Sequence, residues 1–292
     1  VTKRLIAALC AVSGIILAAP ACAGELRQGG KLLLTGGVSA IEGSAGGGLA
    51  TWSLIAGNET DAGIGGTAHA TIVELPDFDL KSVGVALGVR NRVELSYAHQ
   101  VFNTRAAGAT LGIGRNFEFG QDVFGAKVRV LGDAVYDQDR LLPQISVGVQ
   151  YKRAEKADII AAIGGKQAEG TDFLISAAKL VLSKSLVIGS TVRFTKANHF
   201  GLLGFGGDKS DAYHPEFEGS AGVLISPRIL LGAEVRTNPD NLGFAREQSA
   251  YDLFAAWQVQ RHVAMTVAYT DLGDIATVKR QRGAFLSIQG GF

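Results

Sequence analysis

Cysteine, proline and long apolar runs are all scarce, and each shortage removes a class of protein. The 292 residues hold two cysteines and six prolines. Both cysteines, Cys10 and Cys22, fall in a stretch built like a secretory leader. Lys3 and Arg4 precede an apolar run from Leu5 to Leu17, broken by Ser13 and Gly14, and Ala21-Cys22-Ala23 follows as a small-x-small cleavage pattern. The run is too short for a helical anchor of about 20 residues. Ala19, three positions before Cys22, is not the large aliphatic residue of a lipid-attachment site. Residues 1–23 are therefore expected to be a signal peptide and 24–292 one domain. That domain has no thiol, which excludes disulfides and thiolate metal sites. Nothing after residue 23 approaches 18 consecutive apolar residues, so helical membrane spans are excluded as well. A charge imbalance is also lacking. Without the leader, 26 basic residues face 27 acidic ones, and nucleic acid is not an expected partner.

What the chain has instead is glycine and alternation. There are 39 glycines, well above the usual share of about 7%. Hydrophobic residues reach 47%, yet they are spread along the chain at every second position. In Arg282 to Phe292, the set Ala284, Leu286, Ile288, Gly290 and Phe292 opposes Gly283, Phe285, Ser287, Gln289 and Gly291. In Gln144 to Lys152, Ile145, Val147, Val149 and Tyr151 oppose Gln144, Ser146, Gly148, Gln150 and Lys152. A period of two with one apolar and one polar face describes a strand between lipid and a polar interior. No comparable stretch carries a 3.6-residue stripe.

Short and long connectors alternate. Tight turns are expected near Arg90-Asn91, Asp137 to Arg140, Ser183 to Ser185, Ser226 to Arg228 and Gln260-Arg261. Long connectors are expected over 103–122, 153–170, 196–216, 238–248 and 271–280. This is the asymmetry of an outer-membrane barrel, with short periplasmic turns and long extracellular loops. The fold expected is thus all-β: a single transmembrane antiparallel up-and-down barrel in the bacterial outer membrane. Counting back from Phe292 in the periplasm requires strands near 48–56 and from Lys31 to Ile41, for a total of about 14. If that first pair is an inserted segment, about 12 remain. Tyr97, Phe124, Tyr151, Phe217 and Tyr269 fall towards the outer strand ends, with Trp257 and Phe292 at the inner ends, as interfacial aromatic girdles would. The terminal Phe292 reads as an assembly signal for the barrel-assembly machinery.

The stretches GGVSAIEGSAGGGLATWSLIAG, QDVFGAKVRVLGDAVYDQDRLLPQISVGVQYK, KANHFGLLGFGGD, NPDNLGFARE and DLGDIAT resemble a proteobacterial outer-membrane β-barrel family catalogued as domain of unknown function 3034. The resemblance runs over nearly all of the chain after the leader. It implies a Gram-negative outer-membrane barrel and carries over no activity and no functional residue. Thr51 stands before Trp52 where the family form has proline.

No chemistry emerges from motifs. The five histidines, His69, His99, His199, His214 and His262, form no metal-binding pattern. His99 and Ser96 would point to opposite faces of a strand, so a membrane-boundary hydrolase lacks its pair. Gly164-Gly165-Lys166 is not a phosphate loop. Gly46 to Gly48 and Gly63 to Gly66 suit bending and close strand approach. Asp208, Asp211, Asp271 and Asp274 fall in expected outer loops and read as solvated loop acids, the alternative being a site for divalent cations or the lipopolysaccharide ion layer. Neither an enzyme nor a cofactor is expected.

The lumen is the remaining candidate. Glu94, Lys127, Arg129, Lys152, Lys179, Arg193, Glu218, Glu234, Arg236 and Asp252 oppose apolar stripes. A basic residue near the lipid midplane would cost about 2–4 kcal/mol, so all ten are expected to face inward as a pore lining. The loop 196–216 carries His199, Phe200, Leu202, Leu203 and Phe205, an apolar content that suggests a constriction at the mouth. The functional expectation is a narrow, porin-like passive channel for small solutes. The alternatives are a structural or surface-interaction barrel with a plugged lumen, or a route for apolar molecules.

Overall fold

A computed structural model describes residues 38–134 and 141–292. Twelve antiparallel strands close into a barrel, each paired with its neighbour in sequence. They are β3 (Ile64–Glu74), β4 (Asp79–Val89), β5 (Val93–Asn103), β6 (Glu118–Leu131), β7 (Gln144–Ala154), β8 (Glu169–Val181), β9 (Leu186–Thr195), β10 (His214–Ser226), β11 (Ile229–Arg236), β12 (Ala250–Gln260), β13 (Val263–Asp271) and β14 (Arg282–Gly291). β14 closes onto β3, with Ala284 opposite Glu74 and Gly291 opposite Thr67. Two further strands of two residues each, β1 (Val38–Ser39) and β2 (Ala45–Gly46), form a hairpin inside the barrel.

The alternation of apolar residues puts one face of each strand in lipid. Leu286, Leu253, Ile175, Phe124, Tyr251 and Tyr269 are exposed on the outside, while Phe285, Asp252, Ser176 and Val123 are buried inside. Most spanning strands have 9–14 residues, enough to cross a bilayer when tilted. No described helix is long and apolar enough to do so.

The strand count is 12 rather than 14. The segment near 48–56 is not in the wall, and the described part of the Lys31 to Ile41 segment, residues 38–41, lies inside with it. Residues 31–37 fall outside the described ones. From 38 to 56 every residue is buried. This is the inserted-segment arrangement, and its glycines explain it. Gly43 holds a positive φ of +90°, and a Cβ there would press on the Tyr97 carbonyl. A Cβ on Gly47 would overlap the Glu234 carboxylate. The hairpin backbone lies against the wall because no side chain stands between them.

At one end the connectors 104–117, 155–168, 196–213, 237–249 and 272–281 are long. At the other, 90–92, 182–185, 227–228 and 261–262 are tight. Two connectors depart from the pattern. The outer link 75–78 is short, and the inner link 132–143 is long. The turn expected at Asp137 to Arg140 lies outside the described residues.

Candidate functional site

Alternation predicts a polar inward face on each strand, and much of that face is polar, with two apolar clusters beside it. Outer-end residues Phe78, Phe102, Phe119 and Phe285 pack with Ile41 and Leu49 of the inserted segment. Leu180, Val187 and Leu230 near the inner ends, and Phe254 midway along β12, pack with Val38, Trp52 and Leu54. Charged residues line the lumen from Arg236 at the outer end of β11 to Glu94 near the inner end of β5.

At the centre is Glu42, a residue the sequence did not single out. Its carboxylate is fully buried and meets three wall cations. Oε1 lies 2.5 Å from Lys152 Nζ and 2.9 Å from Arg236 Nη2, and Oε2 lies 3.0 Å from Arg193 Nη2. Two wall carboxylates share those cations. Asp172 Oδ2 is 2.8 Å from Lys152 and 2.9 Å from Arg193, and Glu218 Oε1 is 2.5 Å from Arg193. Five adjacent strands, β7 to β11, thus supply alternating signs: Lys152, Asp172, Arg193, Glu218, Arg236. Desolvating these groups is costly, and only this dense mutual pairing offsets it.

Glu94, Lys127 and Glu234 also bind the inserted segment. Glu94 accepts from the Ala45 and Ala56 amides and lies 3.1 Å from Lys127, whose Nζ also donates to the Trp52 carbonyl at 2.9 Å. Arg129 pairs with Asp61 at 2.8 Å and with Asp133 at the inner rim. Glu234 accepts from Leu49 N, Ala50 N and, at 2.8 Å, from Trp52 Nε1. Thr51 N donates to Glu218 at 2.7 Å, a bond that proline at position 51 would lack the N–H to make. Asp252 lies opposite Glu234 on the neighbouring strand, buried beside Gly48.

One of the ten is misplaced in the sequence reading. Lys179 shares the outward register of Phe173 and Ile175, and does not line the lumen. It sits near the inner end of β8, where its ammonium reaches the Leu142 carbonyl at 3.4 Å. A long stem near a membrane boundary can keep its charge out of lipid in this way.

The loop with His199, Phe200, Leu202, Leu203 and Phe205 folds inward, and all five are buried. The Phe200 carbonyl accepts from Lys152 Nζ at 3.1 Å, and the Arg236 guanidinium lies 4.5 Å from the Phe200 ring centroid. Phe205 covers Gly170, where a Cβ would collide with its ring. The neighbouring loop is tied on through Asn241, which donates to Asn198 Oδ1 at 3.1 Å. Among the loop acids, Asp211 pairs with Lys196 at 2.9 Å and Asp271 with Arg282 at 2.7 Å. Asp274 accepts from Gln248 at 3.1 Å. Asp208 accepts from Gly243 N at 2.6 Å, the main influence holding its carboxyl below the usual value.

Other candidates part company. His99 Nδ1 lies 2.9 Å from Asp122 on the outward face, while Ser96 belongs to the inward register. One void, about 10 Å³, opens between the inserted segment and β5 to β8, beside Thr51, Glu94 and Lys127. It has room for about one water molecule.

A family model described as protein of unknown function (DUF3034) matches residues 35–289. The chain belongs to the DUF3034 family. No curated protein sequence matches it. Among solved structures, this DUF3034 barrel is similar to KdgM porin, with a TM-score of 0.50 and 9% identity over 77% of this chain and 99% of that one. A KdgM porin in complex with disordered oligogalacturonate gives 0.50 and 10% over the same shares. NanC porin gives 0.49 and 7%, over 77% of this chain and 98% of that one. At such identities the likeness is one of fold. It is the fold of outer-membrane porins, and the DUF3034 barrel is a bacterial outer-membrane protein.

Proposed function

We propose that this barrel is a narrow channel for small hydrophilic solutes, held shut at rest by residues 38–56 in its lumen. The observation that carries the reading is the charged lining of the lumen. Seven inward-facing charged residues, Glu94, Lys127, Lys152, Arg193, Glu218, Glu234 and Arg236, hold the inserted segment by hydrogen bonds and ion pairs. A buried ionic belt adds little stability over an apolar one of equal volume, and apolar replacements are often neutral or stabilising. The same wall would suit water and polar solutes once the segment moved aside. Its outer loop then acts as a second constriction. The outer face would contact lipid and lipopolysaccharide, and insertion would depend on the barrel-assembly machinery.

Planar-bilayer recording tests the reading. The full chain should be closed for most of the record, and removal of residues 38–56 should give steady conductance. Deleting 199–207 as well should raise it further. A folded barrel that passes no current after both deletions would favour the rival reading, a filled barrel with a structural or surface-interaction role, which the present filling of the lumen supports.

A further inference from the structure

We propose that Lys152, Arg193 and Arg236 form a binding site for a small solute bearing a carboxylate, and that Glu42 occupies it as a tethered stand-in. This rests on reading the barrel as a channel closed by its inserted segment, and it names the class of solute.

Who supplies each charge is the main reason. Within salt-bridge distance the wall brings three cations and two carboxylates, Asp172 and Glu218. The third carboxylate belongs to the inserted segment. Glu234, two residues from Arg236, accepts from Leu49, Ala50 and Trp52 of the same segment and is not among the carboxylates paired with the three cations. Counting the groups within salt-bridge distance, the cluster keeps one surplus positive charge once the segment leaves.

Arg236 is left most exposed by that departure. Its two short bonds go to Glu42 at 2.9 Å and to the Leu49 carbonyl at 3.2 Å, both on the segment. What remains is Glu218 at 3.6 Å and the face of Phe200. Lys152 and Arg193 keep Asp172 but each loses one carboxylate oxygen. The place of the Glu42 carboxylate is bounded by the Lys152 ammonium and the Arg236 guanidinium on Oε1 and by the Arg193 guanidinium on Oε2. Charge-assisted bonds from three cations favour a carboxylate over a neutral hydroxyl. A carboxylate solute entering the lumen would compete with Glu42 for the same three donors, and so would both occupy the path and loosen the segment that blocks it.

The test uses the full chain with Cys10→Ala and Cys22→Ala, so that Ser44→Cys, a buried position two residues beyond Glu42, supplies its one thiol, and follows its labelling by a water-soluble maleimide in detergent. Labelling should be slow alone. Succinate should speed it by about tenfold or more, and 1,4-butanediol, its uncharged analogue, should leave it unchanged. Glu42→Gln should speed labelling without any solute. Arg236→Gln and Lys152→Gln should each weaken the succinate response in protein that still shows the gel mobility of a folded barrel. No change with succinate or with Glu42→Gln would overturn the proposal, and so would an equal response to the diol. Labelling that responds in a barrel that never conducts would refute the channel while leaving the carboxylate site standing. Conductance without a labelling response would do the reverse.

Discussion

Glu42 Oε1 and Lys152 Nζ meet at 2.5 Å across 110 residues of sequence, and neither side chain reaches solvent. One partner belongs to the barrel wall and the other to the segment inside it. The contact therefore measures how firmly the lumen is closed, and the first prediction follows from its neighbours.

Arg193 bonds Glu42, Asp172 and Glu218 while buried, so Arg193→Ala leaves three carboxylates short of a partner. We expect a loss of about 3–5 kcal/mol. Lys209→Ala breaks an exposed pair with Asp240 and should cost under about 1 kcal/mol. Denaturant titration of the two variants, read by gel mobility of the folded barrel, gives the comparison. Equal midpoints would contradict it.

Trp52 and Trp257 are the only tryptophans, one buried in the lumen and the other facing lipid. In a Trp257→Phe background, emission reports Trp52 alone. Any treatment that opens the lumen should shift that emission to the red and expose it to an aqueous quencher. Trp52→Phe keeps a ring but strands the Glu234 oxygen 2.8 Å away, at a cost of about 1–3 kcal/mol.

The backbone of the inserted segment touches the wall at Gly47, where a new Cβ would overlap Glu234. Gly47→Ala should destabilise by about 1–3 kcal/mol through overpacking. Gly63→Ala, where the nearest side-chain atom is Glu59 Cβ at 3.6 Å, should stay within about 0.5 kcal/mol. Thermal melting of both proteins decides this.

Ile175 lies mid-way along β8 on the lipid face, four residues from Lys179. A lysine at 175 cannot reach the boundary as Lys179 does. Ile175→Lys should cost about 2–4 kcal/mol and reduce folding into vesicles, whereas Lys179→Ala should fold normally.

Phe292 N donates to the Gly66 carbonyl at 3.0 Å, and the Phe292 carbonyl accepts from Asn58 and Gly66. Deleting Phe292 removes these bonds at the β14–β3 closure. The fraction of heat-modifiable, membrane-inserted protein should fall, and a normal yield would count against a role in assembly.

The wall was legible because lipid imposes a period of two on every strand. Residues such as Leu286 and Phe285 could be assigned to opposite faces without coordinates. The same logic put nine of the ten proposed lining charges on the inner face. It failed for Lys179, because an ammonium near a strand end can escape lipid by reaching along its stem. Asp172 carried the inward parity and was passed over. Glu42, the one acid between Leu26 and Asn58, carried the signal of its isolation but no hint of its partners.

Sequence alone determined the class of fold, the lipid face and the polarity of the connectors, since all three depend on local composition and periodicity. Whether the first glycine-rich segment joined the wall was another matter. Alternation says which side a residue faces but not whether its strand finds neighbours to pair with. That depended on β14 closing onto β3, which left residues 38–56 no edge to join and a lumen to fill. Only that closure brings Lys152, Arg193 and Arg236 around one carboxylate, because each lies more than a hundred residues from Glu42 and on a different strand.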